Sequence, residues 1–343
     1  MNFRIVGLLL LINTTAFAQL HTYKWTNGTK KAEGVVKVGL EQGKWTFWSI
    51  EGVIQQEVTY KDGLFEGKYT NYNVAGKKKE EGTFVGSKKE GVCTIWTNEG
   101  VVEMIGYNKN GYQDSLWTFY YPSGNKKEEG HFKRDERVDI WKTWYDNKTI
   151  KSVRDFKPEG IYMTSYFNVN GKELVKDGNG KFVEYHQNKT KKTEGDYEKG
   201  RRKGSWLSFD ENSNPISSEN YDNGVMNGDC IYYWNDTAEP KLTGKVLNGK
   251  KDNMWSYYYP NGNRLKKILF KEGKENGRMM EWFENGKISV EGYFTNGEKE
   301  SHWAFWLENG NKDFEGDFKA GLRDGLWTFY SENSGDKSYA GMY

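Results

Sequence analysis

The sequence predicts an all-β protein: an elongated array of antiparallel β-hairpins in one twisted sheet, about thirteen units of ~24 residues each. Three observations carry that expectation. Trp45, Tyr69, Cys93, Trp117 and Trp141 stand 24 residues apart, Met163 and Phe182 follow at spacings of 22 and 19, and Trp206, Cys230, Trp255, Met279, Trp303 and Trp327 resume the period with one step of 25. Three residues after every one of these positions stands an aromatic ring, from Trp48, Tyr72 and Trp96 to Trp282, Trp306 and Tyr330. Aromatics make up 16% of the chain, so chance does not build such a column. Finally, 40 glycines, 5 prolines and a low aliphatic content disfavour a helical bundle with a Leu/Ile/Val core.

The first 18 residues read as an export signal. Arg4 precedes the apolar run Ile5 to Ile12, and Ala16-Phe17-Ala18 precedes Gln19, the expected first residue of the mature chain. The apolar run is too short to cross a ~30 Å hydrocarbon core. No Cys follows the expected cleavage point, so lipid attachment there is not supported. The expected location is the periplasm, the cell envelope or the extracellular space.

Each unit then has two extended halves. Runs such as Trp117-Thr118-Phe119-Tyr120-Tyr121 and Trp303-Ala304-Phe305-Trp306 suit a pleated surface. Asn261-Gly262, Asn285-Gly286 and Asn309-Gly310 follow such runs and are expected to form tight type I′ turns. The return half carries a Glu and then an aromatic, as in Glu129-Gly130-His131-Phe132 and Glu315-Gly316-Asp317-Phe318. A Gly-bracketed loop such as Gly321 to Gly325 leads onward. Connections this short make neighbouring strands antiparallel. Side chains alternate between faces, so Trp117 and Phe119 face one way and Tyr120 the other. Both aromatic columns are therefore expected to stack internally from unit to unit. The runs Lys77-Lys78-Lys79-Glu80-Glu81 and Lys126-Lys127-Glu128-Glu129 are expected to pair their charges across strands.

The register is disturbed between Asp146 and Gly180. This predicts an arm over residues 19–145, a compressed and bent segment over 146–180, and a second arm over 181–343. Cys93 and Cys230 hold the same repeat position six units apart, which at ~4.8 Å per strand separates them by roughly 58 Å, so two free thiols are expected.

Little of the composition points to catalysis. The 50 basic and 48 acidic residues give a net charge of +2, without the pull toward nucleic acid that a basic protein exerts. His21, His131, His186 and His302 lie in different units without a zinc-ligand spacing, and neither a nucleophile elbow nor a phosphate loop is present. The carboxylates Glu57, Glu81, Glu129, Glu194, Glu291 and Glu315 form a repeated column, which marks scaffold rather than a single reactive site. No enzyme activity, cofactor or metal is expected.

The pattern Glu-Gly-x-aromatic-x-x-Gly-x-x-x-Gly-x-Trp-x-x-aromatic, seen from Glu194 to Phe209 and from Glu315 to Tyr330, resembles the bacterial variant of the MORN repeat, in chains grouped as YwqK-family antitoxin-like proteins. The resemblance extends from about Trp25 to Tyr343. It implies a non-enzymatic hairpin array used for protein association, with membrane attachment proposed for eukaryotic relatives and antitoxin or inhibitor roles for some bacterial ones.

The positions two residues after each repeat start vary in type, as a surface tuned to a partner would. Phe47, Phe119, Tyr232, Tyr257, Phe305 and Phe329 among them are candidate contact residues, joined by Tyr162 and Tyr166 in the irregular segment. The expected function is binding or scaffolding through protein contacts. The alternatives are neutralisation of a toxic partner, or binding of a glycan, envelope polymer or membrane surface through exposed rings.

Overall fold

The computed structural model describes residues 17–235 and 237–343, so the expected export signal, apart from its last two positions, lies outside the described residues. Among the described residues the chain forms 29 strands and no helix. It divides into two compact units, one ending at Gly160 and the other spanning Ile161–Tyr343. The division falls inside the stretch 146–180, where the return strand Glu173–Lys176 keeps only 4 residues.

Within each unit the hairpins repeat one plan. An outgoing strand of 9 residues such as Tyr112–Tyr120 pairs antiparallel with a return strand of 8 such as Lys126–Lys133, which pairs with the next outgoing strand, Glu136–Trp144. The plan begins earlier than the Trp alignment suggests. The strand Gln19–Lys24 pairs His21 with Gly34 as Trp117 pairs with Gly130, so His21 is the column residue of a further hairpin.

The two turn types occupy the reverse of their expected places. Type I′ turns, which need left-handed backbone at both central residues, link return strands to the next outgoing strands: Asp62-Gly63 (φ 52° and 80°), Asn110-Gly111 (54° and 90°) and Asn296-Gly297 (52° and 92°) are examples, whereas Pro158-Glu159 cannot form one because proline fixes a negative φ. Asn261, Asn285 and Asn309, expected in such turns, do not have positive φ. In the loop that starts at Tyr259, only Gly262 is left-handed (φ 85°); its N–H donates to the Tyr259 carbonyl at 3.0 Å, and the Tyr259 N–H donates to Asn263 at 2.8 Å. This is a type I turn closed by a glycine bulge. Pro260 favours it by fixing φ near −65°, and the Asn261 side chain accepts from the Asn263 N–H at 2.9 Å.

A second bulge bends most outgoing strands two residues before the column residue, with Ile161 before Met163 an exception. Gly43, Gly67, Gly91, Gly204, Gly277 and Gly325 occupy it with positive φ, which explains the Gly-x-Trp of the repeat. Ser115, Asp139, Asn253 and Ser301 take the same left-handed backbone at φ 58–61°. A serine there costs about 1 kcal/mol of strain, partly offset by the extra freedom a glycine has when unfolded. Ser301→Gly should therefore raise stability by about 0.5 kcal/mol and Ser301→Val lower it by about 1–2 kcal/mol, read as opposite shifts of the urea midpoint. Equal shifts would show that the bulge does not constrain this residue.

The core is the first aromatic column. All thirteen positions from Trp45 to Trp327 are buried, none more than 7% exposed. Each of the seven tryptophans lays its indole on a glycine eleven residues earlier, in the preceding return strand. A Cβ on Gly34, Gly106, Gly130, Gly195, Gly244, Gly292 or Gly316 would come within 2.4 Å of the ring. The indole Nε1–H then donates to the carbonyl of the next residue, as Trp117 does to Tyr107 at 3.0 Å and Trp255 does to Lys245 at 3.1 Å. These mid-strand glycines are seats for rings, whereas the turn role expected for glycine belongs to others. Where the column side chain is smaller the seat is larger: Met279 faces Ile268 and Tyr69 faces Val58, both seats buried.

The column beginning at Trp48 is different from the internal stack expected of it. Its rings are half-buried on the opposite face, apart from the buried Tyr166 and the exposed Tyr185. Equivalent rings lie two strands apart, roughly 10 Å, which exceeds the 4.5–7 Å of ring contact. Lysines lie over them instead: Lys30 over Trp48, Lys78 over Trp96 and Lys126 over Trp144 at 5.1–5.6 Å.

Candidate functional site

Each hairpin presents a polar outer face and an inner face that carries the buried rings. On the outer face, Lys126 reaches Glu129 at 2.6 Å and Thr118 donates to the same carboxylate at 3.0 Å. Lys30–Glu33, Lys78–Glu81, Lys191–Glu194 and Lys312–Glu315 repeat the ion pair. Each charge run pairs both ways: Lys78–Glu81 and Lys126–Glu129 pair along one strand, because the bulge that sets Tyr120 opposite Lys126 turns that lysine toward Glu129, while Glu80–Lys89 and Glu128–Arg137 pair across strands as expected, as does Lys44–Glu57.

Glu315 is the most constrained of this column. Burial pushes its carboxyl upward, but Lys312, the Tyr330 hydroxyl and His302 outweigh that and hold it at about 2, against an ordinary 4.5. A carboxylate depressed in the folded state contributes stability above its unfolded pKa and loses it as pH falls through the folded value. Melting temperature should therefore fall from about pH 4.5 toward pH 2, and Glu315→Gln should flatten that fall. An unchanged slope in the variant would remove Glu315 from the account.

On the inner face, the row two residues after the column is continuous across strands. In the first unit Phe47, Gln56, Asn71, Glu80, Ile95, Met104, Phe119 and Glu128 are successive partners. In the second, Tyr232, Leu242, Tyr257, Lys266, Glu281, Val290, Phe305, Phe314 and Phe329 follow one another. Six of the candidate contact residues, Phe47, Phe119, Tyr232, Tyr257, Phe305 and Phe329, thus lie in one kind of row, each half-buried. Tyr162 is half-buried beneath Arg201, whose guanidinium lies 4.5 Å from the ring centre. Tyr166 is a core residue at 2% exposure, its hydroxyl donating to the Val183 carbonyl at 2.9 Å.

A feature of this face escapes a reading based on rings alone. The bend at the bulge folds the start of the outgoing strand back, so that the residue four before the column covers the indole. Arg137 lies 4.0 Å from the Trp141 ring centre, Arg202 4.3 Å from Trp206, Lys251 4.3 Å from Trp255, Lys299 4.4 Å from Trp303 and Arg323 4.4 Å from Trp327. Such contacts contribute about 0.5–2 kcal/mol each. The signal in the sequence is a Lys or Arg four residues before Trp.

The cysteines fit the same plan. Both are free and buried, and burial pushes each thiol up to about 11, so neither is an activated nucleophile. Beside each, a Glu and a Tyr occupy space that an indole fills elsewhere. Tyr69 donates to Glu80 at 2.8 Å near Cys93, with Lys89 paired to the same carboxylate; Tyr221 donates to Glu219 at 2.7 Å near Cys230. Among the described residues no group of three or more His, Cys, Asp or Glu is placed to hold a metal ion.

Bent hairpins of near-constant length outside residues 146–180, each seating its column residue on the return strand before it, define a hairpin-repeat protein. The repeats are of the MORN kind: residues 113–134, 251–272 and 275–296 match the MORN repeat variant. Each matched stretch starts four residues before a buried column residue, at the covering position, and ends on the first residue of a turn. No curated protein matches the chain. Among solved structures, the TcdB2-TccC3-Cdc42 complex matches at 10% identity, covering 96% of this chain and 22% of the other, with a TM-score of 0.18. TcdB2-TccC3 without its hypervariable C-terminal region matches at 8%, covering 93% and 23%, with a TM-score of 0.19. The Tc holotoxin pore of Photorhabdus luminescens matches at 13%, covering 94% and 18%, with a TM-score of 0.17. The chain spans about a fifth of the length of these chains, and at such TM-scores the likeness says nothing of function.

Proposed function

We propose that this chain is an exported, non-enzymatic scaffold that binds a protein partner at the cell envelope or outside the cell. The observation that carries the reading is the contrast between two inner rows. The buried column and its seats are fixed by packing, unit after unit. The neighbouring row changes from Phe47 to Asn71 to Ile95 to Phe119 while staying only partly buried, so one rigid frame presents a different side chain at each step. Variable, partly exposed aromatic positions on a regular frame are what repeat proteins use for recognition.

Affinity capture of the full chain from envelope and medium fractions after cross-linking tests this. A discrete protein should be retained, and retained less when Phe305 and Phe329 are both changed to Asp in a variant that still melts cooperatively. Retention of glycan or lipid alone would overturn the reading. Finding the mature N-terminus at Gln19 in the periplasm or medium tests export separately, and a full-length chain confined to the cytoplasm would overturn that part.

A further inference from the structure

The residue four before each column position has a regular neighbour in the preceding return strand, nine residues earlier. In three hairpins the two carry opposite charge. Lys89 pairs with Glu80, and Arg137 grips Glu128 through two hydrogen bonds of 2.7 and 2.9 Å. The third, Glu275 with Lys266 at 3.9 Å, has the signs exchanged. The hairpin therefore has a built place for a carboxylate beside the covering cation. In the second unit that place is apolar three times: Leu242 precedes Lys251, Val290 precedes Lys299 and Phe314 precedes Arg323. Among the described residues none of these three cations has a carboxylate within ion-pair distance; Lys251 donates to the Tyr257 hydroxyl at 2.8 Å, Glu281 and Glu275 act on Lys299 only from beyond that distance, and the nearest groups are rings. Lys299 lies 4.4 Å from Trp303, 5.0 Å from Phe318 and 5.7 Å from Phe305. Arg323, exposed, is 5.9 Å from Phe329 and 6.0 Å from Phe314.

We infer that Lys251, Lys299 and Arg323 are docking points for carboxylates supplied by an acidic, extended segment of a partner protein, which lies along the apolar row formed by Tyr257, Phe305 and Phe329. The inference rests on the protein-binding reading above and gives that partner its chemistry. Spacing supports it. Lys299 and Arg323 belong to adjacent hairpins, two strands or roughly 10 Å apart, and Lys251 lies about twice that from Lys299. A polyproline II segment advances about 9 Å per three residues, so an acid at every third position meets the cations in register. The floor favours peptide over sugar, because Phe305, Phe314 and Phe329 offer apolar surface without the hydroxyl or indole N–H that would contact polar rims. Burial also lowers the affinity of Lys299 for its proton, which a docked carboxylate would reverse. Between Lys251 and Lys299 the row holds Lys266, which Glu281 already pairs at 3.2 Å, so the middle of the row offers the peptide no further free cation.

The test uses the full chain and fluorescent proline-rich peptides carrying Glu, Gln or Lys at every third position, read by anisotropy at low and high salt. The Glu peptide should bind, lose affinity as salt rises, and exceed the Gln and Lys peptides at least tenfold. Val290→Glu with Phe314→Glu, which copies the arrangement of Glu128 beside Arg137, would supply the carboxylates from within and should abolish binding while the chain still melts cooperatively. Lys299→Gln with Arg323→Gln should do the same if the first pair does not fold. Equal binding of the Gln peptide, or Glu-peptide binding that survives these changes, would overturn the inference. So would tighter binding of an oligogalacturonate than of the Glu peptide, which would make the occupant an acidic glycan. If a captured protein is retained equally by wild type and variants, the scaffold reading stands and this docking row falls; if wild type retains no protein, both fall.

Discussion

Gly106→Ala should destabilise the protein by about 3 kcal/mol, a large effect for a single methyl group. Gly106 does not use left-handed backbone, so the conformation itself suits alanine, and in a strand the change would ordinarily stabilise by about 0.5–1 kcal/mol. Sterics reverse the sign. The new Cβ would lie 1.9 Å from Cδ2 and 2.2 Å from Cε2 of Trp117. The indole cannot yield, since it is 1% exposed, bonded to the Tyr107 carbonyl at 3.0 Å and met edge-on by Phe132 at 6.1 Å between centres. Either the strands separate or the ring leaves its seat. Gly82→Ala is the control, because there the Cβ meets only the rim of Tyr69 at 3.0 Å. The chain itself shows how to rescue the change: Ile268 beneath Met279 is the same seat refilled. Gly106→Ile with Trp117→Met should recover much of the loss, giving a coupling of at least ~2 kcal/mol in a double-mutant cycle followed by urea unfolding. Additive single changes would mean that the seat is not a size-matched pair.

Much of the fold is legible in the sequence because the period is a property of residue type. The column from Trp45 to Trp327 marks the hairpins one by one, the alternation of short connections fixes them as antiparallel, and two free thiols follow from register alone. The departures share a cause: residue identity does not carry backbone conformation with it. Asn-Gly suits a type I′ turn in a two-residue loop, but the loops at Asn261, Asn285 and Asn309 hold three residues, and a type I turn closed by a glycine bulge takes all three whether or not a proline leads. Glu-Gly resembles turn chemistry, yet Gly130 is mid-strand because an indole needs the space. The two aromatic columns look equivalent because strand alternation treats faces alike, and nothing in one sequence says which face the bulge folds inward. His21 gives no signal of its place in the column, being neither apolar nor Trp. Six candidate contact positions share one kind of row, since a spacing of two from the column fixes the face whatever the bend. The covering cations beside that row leave a sequence signal, Lys or Arg four residues before Trp, but its meaning depends on the bend, which residue type does not specify.

Which column is the core can be decided within one strand. Trp303 and Trp306 are three residues apart on opposite faces, and a count of aromatic area alone would make them equal. Trp303 is 1% exposed, touches Phe294, Phe318 and Phe305 at centre distances of 5.1, 5.7 and 6.0 Å, and donates to the Tyr293 carbonyl at 3.2 Å. Truncating it removes a whole ring from a site whose floor is the Gly292 backbone, so little can collapse into the space. Trp303→Ala should cost about 4 kcal/mol. Trp306 is half-buried, with Lys312 at 5.9 Å as its cover, and its loss should cost about 1–2 kcal/mol. Because repeats couple mainly to nearest neighbours, the damage from Trp303→Ala should also be local. Hydrogen exchange should accelerate in the strands Glu298–Trp306, Ile288–Thr295 and Lys312–Lys319, while amides of the strand Tyr112–Tyr120 keep their protection. Equal melting shifts for the two variants would put both columns in the core, and exchange that accelerates everywhere would make the array a single cooperative body rather than a chain of neighbours.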